Sequence, residues 1–179
     1  MRKKHVRNLT AGYAAFMAAA FVFSAGFSKT AFADEADKTT LVYGSTDYTR
    51  INPAMDEHCE INVLLFDGLT DHDGDNQIIP RLAKSWEYDE ENLTYTFHLE
   101  EGVKWHDGEP FTAEDVKFTF EAIMDPANES ENAPDYEDIE SIEVIDEHTV
   151  AFHLSNVNTA FLEYMTKPVM PKHLLEGED

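Results

Sequence analysis

Residues 93–126 leave a chain little freedom. Leu93, Tyr95, Phe97 and Leu99 alternate with Thr94, Thr96 and His98, so one face of an extended segment is apolar and the other polar. Asp107-Gly108 then marks a tight turn, where glycine supplies a positive φ without steric cost. Thr112 opens a T-x-x-D capping box with Asp115, and Val116, Phe120 and Ile123 recur at helical spacing. Asp125-Pro126 ends the run, because the residue before proline is driven out of the helical region. A period of two giving way to a period of 3.6 predicts strand and amphipathic helix sharing one core.

The flanking segments extend this pattern. Residues 40–46 read as a strand and 57–67 as a short helix stopping at Gly68. Asp73-Gly74 is a turn signal between extended pieces. Strands are expected at 84–89, 93–99 and 103–105, a polar loop at 127–138, a hairpin over 141–154 turning at Asp146-Glu147-His148, and a short helix at 158–165. Residues 167–179 carry two prolines and predict no closing element, so the chain reads as breaking off early. The fold class is mixed α/β (α+β).

The first 33 residues belong outside the fold. Arg2, Lys3, Lys4 and Arg7 form a basic start, 11–27 is apolar, and Ala31-Phe32-Ala33 offers small residues for cleavage after Ala33. The apolar run is short for a membrane span, and no cysteine stands at the cut to carry a lipid. The pattern predicts an exported, soluble protein, periplasmic or extracellular. The segment holds five of the thirteen Lys+Arg and none of the 36 Asp+Glu, so eight basic residues face all 36 acidic ones after cleavage. Such a field makes nucleic acid and anionic membrane surfaces poor partners and admits cationic ligands, and its favoured reading is a solubilising acidic surface. The single cysteine, Cys59, rules out an intrachain disulfide framework.

Chemistry-bearing motifs are sparse. No Gly-rich phosphate loop, G-x-S-x-G elbow or H-E-x-x-H occurs. His58 and Cys59, flanked by Asp56, Glu57 and Glu60, mix soft and hard metal donors, although neighbouring residues share one ion only on irregular backbone. Cys59 can equally be a small buried hydrophobe or, with a histidine, a nucleophile. Asp71-His72-Asp73 fits a solvated turn, and "DGDN" lacks the spacing and distal Glu of a calcium loop. In Trp105-His106-Asp107-Gly108 each residue has a structural role, as strand end or turn, and scaffold is the favoured reading. No cofactor is implied.

Residues 66–123 resemble extracellular solute-binding proteins of family 5, the receptors of ABC importers for dipeptides, oligopeptides, nickel chelates and related solutes. The matching pieces are Gly68-Leu69, Pro80-x-Leu82-Ala83-x-Ser85-Trp86, Tyr95-Thr96-Phe97-x-Leu99 and Gly102 to Val116, with weaker matches at Asn52-Pro53 and Val169 to His173. The resemblance covers roughly 40–175. It implies a class II periplasmic-binding-protein-like clamshell, of which 34–69 would begin lobe I, 70–155 form an extra subdomain, and 156–179 return into lobe I, with lobe II and the hinge lacking. It implies a non-enzymatic monomer that captures peptide or another small solute and hands it to permease subunits. It places Asp56, Glu57, His58 and Cys59 at the cleft edge and nominates Tyr136 from the loop after the capped helix. Asp56 and Glu57 suit a peptide ammonium; His58 suits a metal chelate, which leaves a nickel receptor as the alternative. An exported hydrolase using Cys59 or His106 is the alternative from another class.

Overall fold

The computed structural model describes residue 52 and residues 62–177. These belong to the unit Ser45–Asp179, the second of two into which the chain divides. The strand expected at 40–46 and most of the helix expected from 57 lie outside the described residues; its last turn is α1, Asn62–Leu65. Two short strands follow, β1 (Thr70–His72) and β2 (Ile78–Pro80), antiparallel around the Asp73-Gly74 turn. Asp73 holds that turn by accepting the amides of Asp75 and Gln77 at 2.9 Å each.

The main sheet has the antiparallel order β3-β4-β6-β5, with β3 at Ala83–Asp89, β4 at Thr94–Leu99, β5 at Ile139–Asp146 and β6 at Thr149–Leu154. Its hairpin turns are closed by aspartates. Asp89 accepts the amides of Glu91 and Asn92, and Asp146 accepts that of His148. The alternation in the sequence becomes one buried face: Phe97 and Leu99 on β4, Val150 and Phe152 on β6, all inaccessible to solvent. The segment expected as a strand at 103–105 is instead a tight loop with one bridge, Lys104 to Pro110. Trp105 N–H donates to the Glu109 carbonyl and Gly108, at φ +96°, closes the reversal, which leaves no room for a longer ladder.

Helix α2, Ala113–Met124, covers the buried sheet face with Val116, Phe120 and Ile123. Phe152 sits at the centre of the packing, its ring 5.2 Å from Phe120, 5.7 Å from Phe97 and 5.6 Å from Phe161, all edge to face. That geometry suits ring quadrupoles, and burying each such ring stabilises by roughly 1.5–3 kcal/mol. The helix start is held twice. The Asp115 carboxylate accepts the Thr112 amide at 2.8 Å, and the Ala113 amide donates to Glu147 in the β5–β6 turn at 2.9 Å. The expected polar loop at 127–138 contains two 3-10 turns, Pro126–Asn128 and Ala133–Tyr136, and buries Ser130, Asn132 and Tyr136.

After α3 (Phe161–Tyr164) the chain does not trail out, as its prolines suggested. Val169, Met170 and Pro171 are buried and the short helix α4, Lys172–Leu175, follows. Each amide in the return finds a partner: Val169 donates to the Asp67 carbonyl, Met170 to the Thr119 hydroxyl at 2.8 Å, and Lys172 to the Asp115 carboxylate at 2.9 Å. Pro168 and Pro171 fall where no donor is needed. At Gly68 the backbone of residues 165–166 comes so close that a Cβ would lie 2.5 Å from the Thr166 carbonyl oxygen.

Two stability predictions follow from these contacts. Gly68→Ala is expected to cost about 1–3 kcal/mol, because the obstructing atoms are backbone and cannot swing away. Asp115→Ala is expected to cost about 2–4 kcal/mol, combining a lost helix cap with an unpaired Lys172 amide. Urea unfolding midpoints of both variants measure this, and an unchanged midpoint for Asp115→Ala would refute the dual role of that carboxylate.

Candidate functional site

The residues nominated from sequence separate into two groups. Asp56, Glu57, His58 and Cys59 lie outside the described residues. What the structure supplies is the anchorage that follows them in the chain. Beyond α1, the Asp67 carboxylate pairs with Arg81 at 2.8 Å, which raises the guanidinium pKa through the hydrogen bond and the adjacent charge. Gly68 and Leu69 are locked against the end of α3, where the Leu69 and Thr70 amides share the Met165 carbonyl. The Thr70 hydroxyl adds a bond to the Leu162 carbonyl at 2.9 Å.

Tyr136 is described, and it faces inward. It is 2% exposed, packs edge to face on Phe120 at 5.2 Å, and donates its hydroxyl to the Tyr164 carbonyl at 2.8 Å. Burial pushes the phenol far above its ordinary value, so it is a neutral donor at every physiological pH. Beside it, Lys167 Nζ donates to Asn132 Oδ1 at 2.6 Å, and Asn132 is itself 3% exposed. The Tyr136 and Lys167 contacts tie the loop to the end of α3 and to the segment beyond it. Nothing in the polar string "ANESENAPDYED" signals this, because Asn and Ser are ordinary loop residues until a partner from elsewhere in the chain is known.

The Trp105-His106-Asp107 run is scaffold in the structure. Trp105 is partly buried on Phe111, ring centroids 6.0 Å apart, and its indole nitrogen has no partner among the described residues. With Leu65, Phe66, Leu82 and Val103 it lines a small cavity of about 90 Å³. His106 is exposed, whereas Asp107 reaches His173 Nε2 at 2.7 Å. His72, read as part of a solvated turn, pairs with Glu163 at 3.0 Å. Among the described residues no group of three or more His, Cys, Asp or Glu could hold a metal ion, and no helix is long and apolar enough to cross a membrane.

Comparison with known proteins gives this geometry a context. Residues 77–174 match the model of the bacterial extracellular solute-binding proteins, family 5, middle region. Di/tripeptide-binding protein 1 of Pseudomonas aeruginosa is 37% identical over 122 residues, 58% of this chain and 23% of that protein. NikZ of Campylobacter jejuni, solved in complex with Ni(L-His), aligns at TM-score 0.71 and 41% identity, covering 74% of this chain and 27% of its own. The oligopeptide-binding protein AppA of Bacillus subtilis, solved with a nonapeptide, aligns at TM-score 0.67 and 28% identity, covering 72% and 27%. The chain spans about a quarter of the length of these relatives. It belongs to the bacterial extracellular solute-binding proteins, family 5. Its mixed α/β fold is that of class II periplasmic binding proteins and corresponds to part of one lobe. The family is one of solute-binding proteins, which gives the hydrolase reading built on Cys59 or His106 no support.

The inward position of Tyr136 has a measurable consequence. Tyr136→Phe keeps the ring and removes the hydroxyl, leaving the Tyr164 carbonyl with the Lys167 amide as its remaining donor. It is expected to destabilise by about 0.5–1.5 kcal/mol in thermal unfolding. An unchanged melting temperature would show that the hydroxyl carries none of the loop's attachment.

Proposed function

We propose that this member of the family is a solute-binding subunit that captures peptides outside the cytoplasmic membrane and delivers them to an ABC permease. The observation that carries the reading is the 37% identity to a di/tripeptide-binding protein over 122 residues. The nonapeptide bound to AppA supports the same ligand class. The N-terminal 33 residues would act as the export signal, cut after Ala33. Residues 34–69 would open lobe I, 70–155 form its added subdomain, and 156–179 return to it. The receptor would work as a monomer.

In this reading Asp56 and Glu57 receive a peptide ammonium, a charge-assisted contact favoured by the acid excess of the chain. His58 and Cys59 complete the ligand edge. Tyr136, committed to Tyr164, braces its own loop. Capture then follows from differential contacts in a closed state, since a ligand shifts an equilibrium only by what it gains there.

A second reading has its own support. The 41% identity to NikZ, with its bound Ni(L-His), together with the donors of His58, favours a nickel chelate as cargo. Calorimetric titration of the complete gene product with a di- and tripeptide panel and with nickel(II)–histidine separates the two. Peptide heats that vanish in an Asp56→Asn/Glu57→Gln variant are expected. Silence with every peptide alongside saturable nickel–histidine binding, lost in His58→Ala, would replace the peptide reading with the nickel one.

A further inference from the structure

We propose that His173 and Asp107 form a pH-operated clasp that holds the short helix α4 against the 103–111 loop, closed when the imidazole carries its proton. The clasp stands on geometry. Asp107 Oδ2 meets His173 Nε2 at 2.7 Å across 66 residues of sequence, and the Trp105 ring lies 6.4 Å from the imidazole. The loop that presents Asp107 is stiff. Gly108 reverses it at φ +96°, the Trp105 and Gly108 amides close it, and Asp107 Oδ1 accepts the Glu109 amide at 3.1 Å. One carboxylate oxygen therefore fixes the loop while the other faces the imidazole.

The charges around His173 come from three elements. Asp107 and Glu109 face it from the loop, Glu114 and Asp115 from the start of α2, and Lys172 and Glu176 from its own helix and helix end. The Lys172 amide is already fixed by Asp115 and its ammonium lies 2.9 Å from Glu114 and 3.9 Å from Glu176. Of these groups, His173 is the one whose ordinary value, 6.5, lies closest to neutrality. Its pKa is raised, first by the hydrogen bond to Asp107 and then by the surrounding carboxylates, and that of Asp107 is lowered, first by the same bond.

The sign follows from linkage. A raised imidazole contributes its full stabilisation below the ordinary value of 6.5 and loses it as pH rises through the raised one. A depressed carboxyl contributes fully above 3.8 and loses it as pH falls through the lowered value. The clasp is fully closed between these limits and releases on the alkaline side.

Two measurements on the full chain test this. NMR titration of the His173 ring should show a midpoint above 6.5 that moves down in Asp107→Asn. Amide hydrogen exchange at Leu174 and Glu176, corrected for intrinsic rate, should lose roughly two- to fivefold of its protection between pH 6 and pH 8.5, the size of an exposed ion pair. That loss should disappear in both His173→Gln and Asp107→Asn. The proposal fails if wild-type protection is flat across this range, or if the variants keep the wild-type pH dependence, which would assign it to another group.

Discussion

Two side chains one turn apart on α2 decide how the end of the chain meets its middle. Asp115 and Thr119 are 4% and 0% exposed, and both spend their polar atoms on backbone. Asp115 accepts the Thr112 amide at the helix start and the Lys172 amide from the return segment. Thr119 donates to the Asp115 carbonyl and accepts the Met170 amide. A buried carboxylate with several donors is stable where an unpaired one would not be, so helix start and return segment depend on each other. The sheet needs this arrangement, because α2 covers its buried face and the return closes over α2. Gly68 completes the closure by letting residues 165–166 approach the backbone that leads into β1.

The strongly periodic parts were legible in the residues themselves. The β4 alternation, the capping box of α2, its stop at Asp125-Pro126 and the β5–β6 hairpin all rest on local rules, and the structure has them. Local rules failed where partners are distant. Thr119 reads as a neutral helix residue, and its role exists only because Met170 arrives from 51 residues away. The proline-bearing return read as loose because it has no periodicity, yet prolines are tolerated wherever an amide is not required. The loop at 127–138 read only as polar because composition does not report whether the polar atoms find protein partners.

The candidate site shows the same division. The resemblance of 102–116 to the family was its clearest sequence mark, and these residues fold as scaffold: an aspartate-closed turn, a partly buried indole and a helix cap. Motifs of this kind are memorable because backbone geometry demands particular residues, Gly108 for its positive φ and Thr112-x-x-Asp115 for the cap. Ligand contacts obey no such geometric demand and vary with cargo, so nothing local singles them out. Tyr136 illustrates the difficulty from the other side. The resemblance nominated it for the ligand, whereas the ring packs on Phe120 and its hydroxyl donates to the Tyr164 carbonyl.

The acid excess links these observations. With 36 acidic and 13 basic residues in the chain, carboxylates far outnumber cations, and exposed pairs individually contribute little. Their placement matters more than their strength. Arg81 joins Asp67 beside Gly68, Lys172 joins Glu114 at the start of α2, and His173 joins Asp107 on the loop before it. All three join different segments of the fold, whereas Lys117 pairs with Glu121 within α2. A binding edge in the same field starts with an attraction for cationic groups that needs no dedicated long-range device. On that footing, discrimination between an ammonium and a metal chelate must come from short-range donors, which is why Asp56, Glu57 and His58 are the residues on which the two functional readings part.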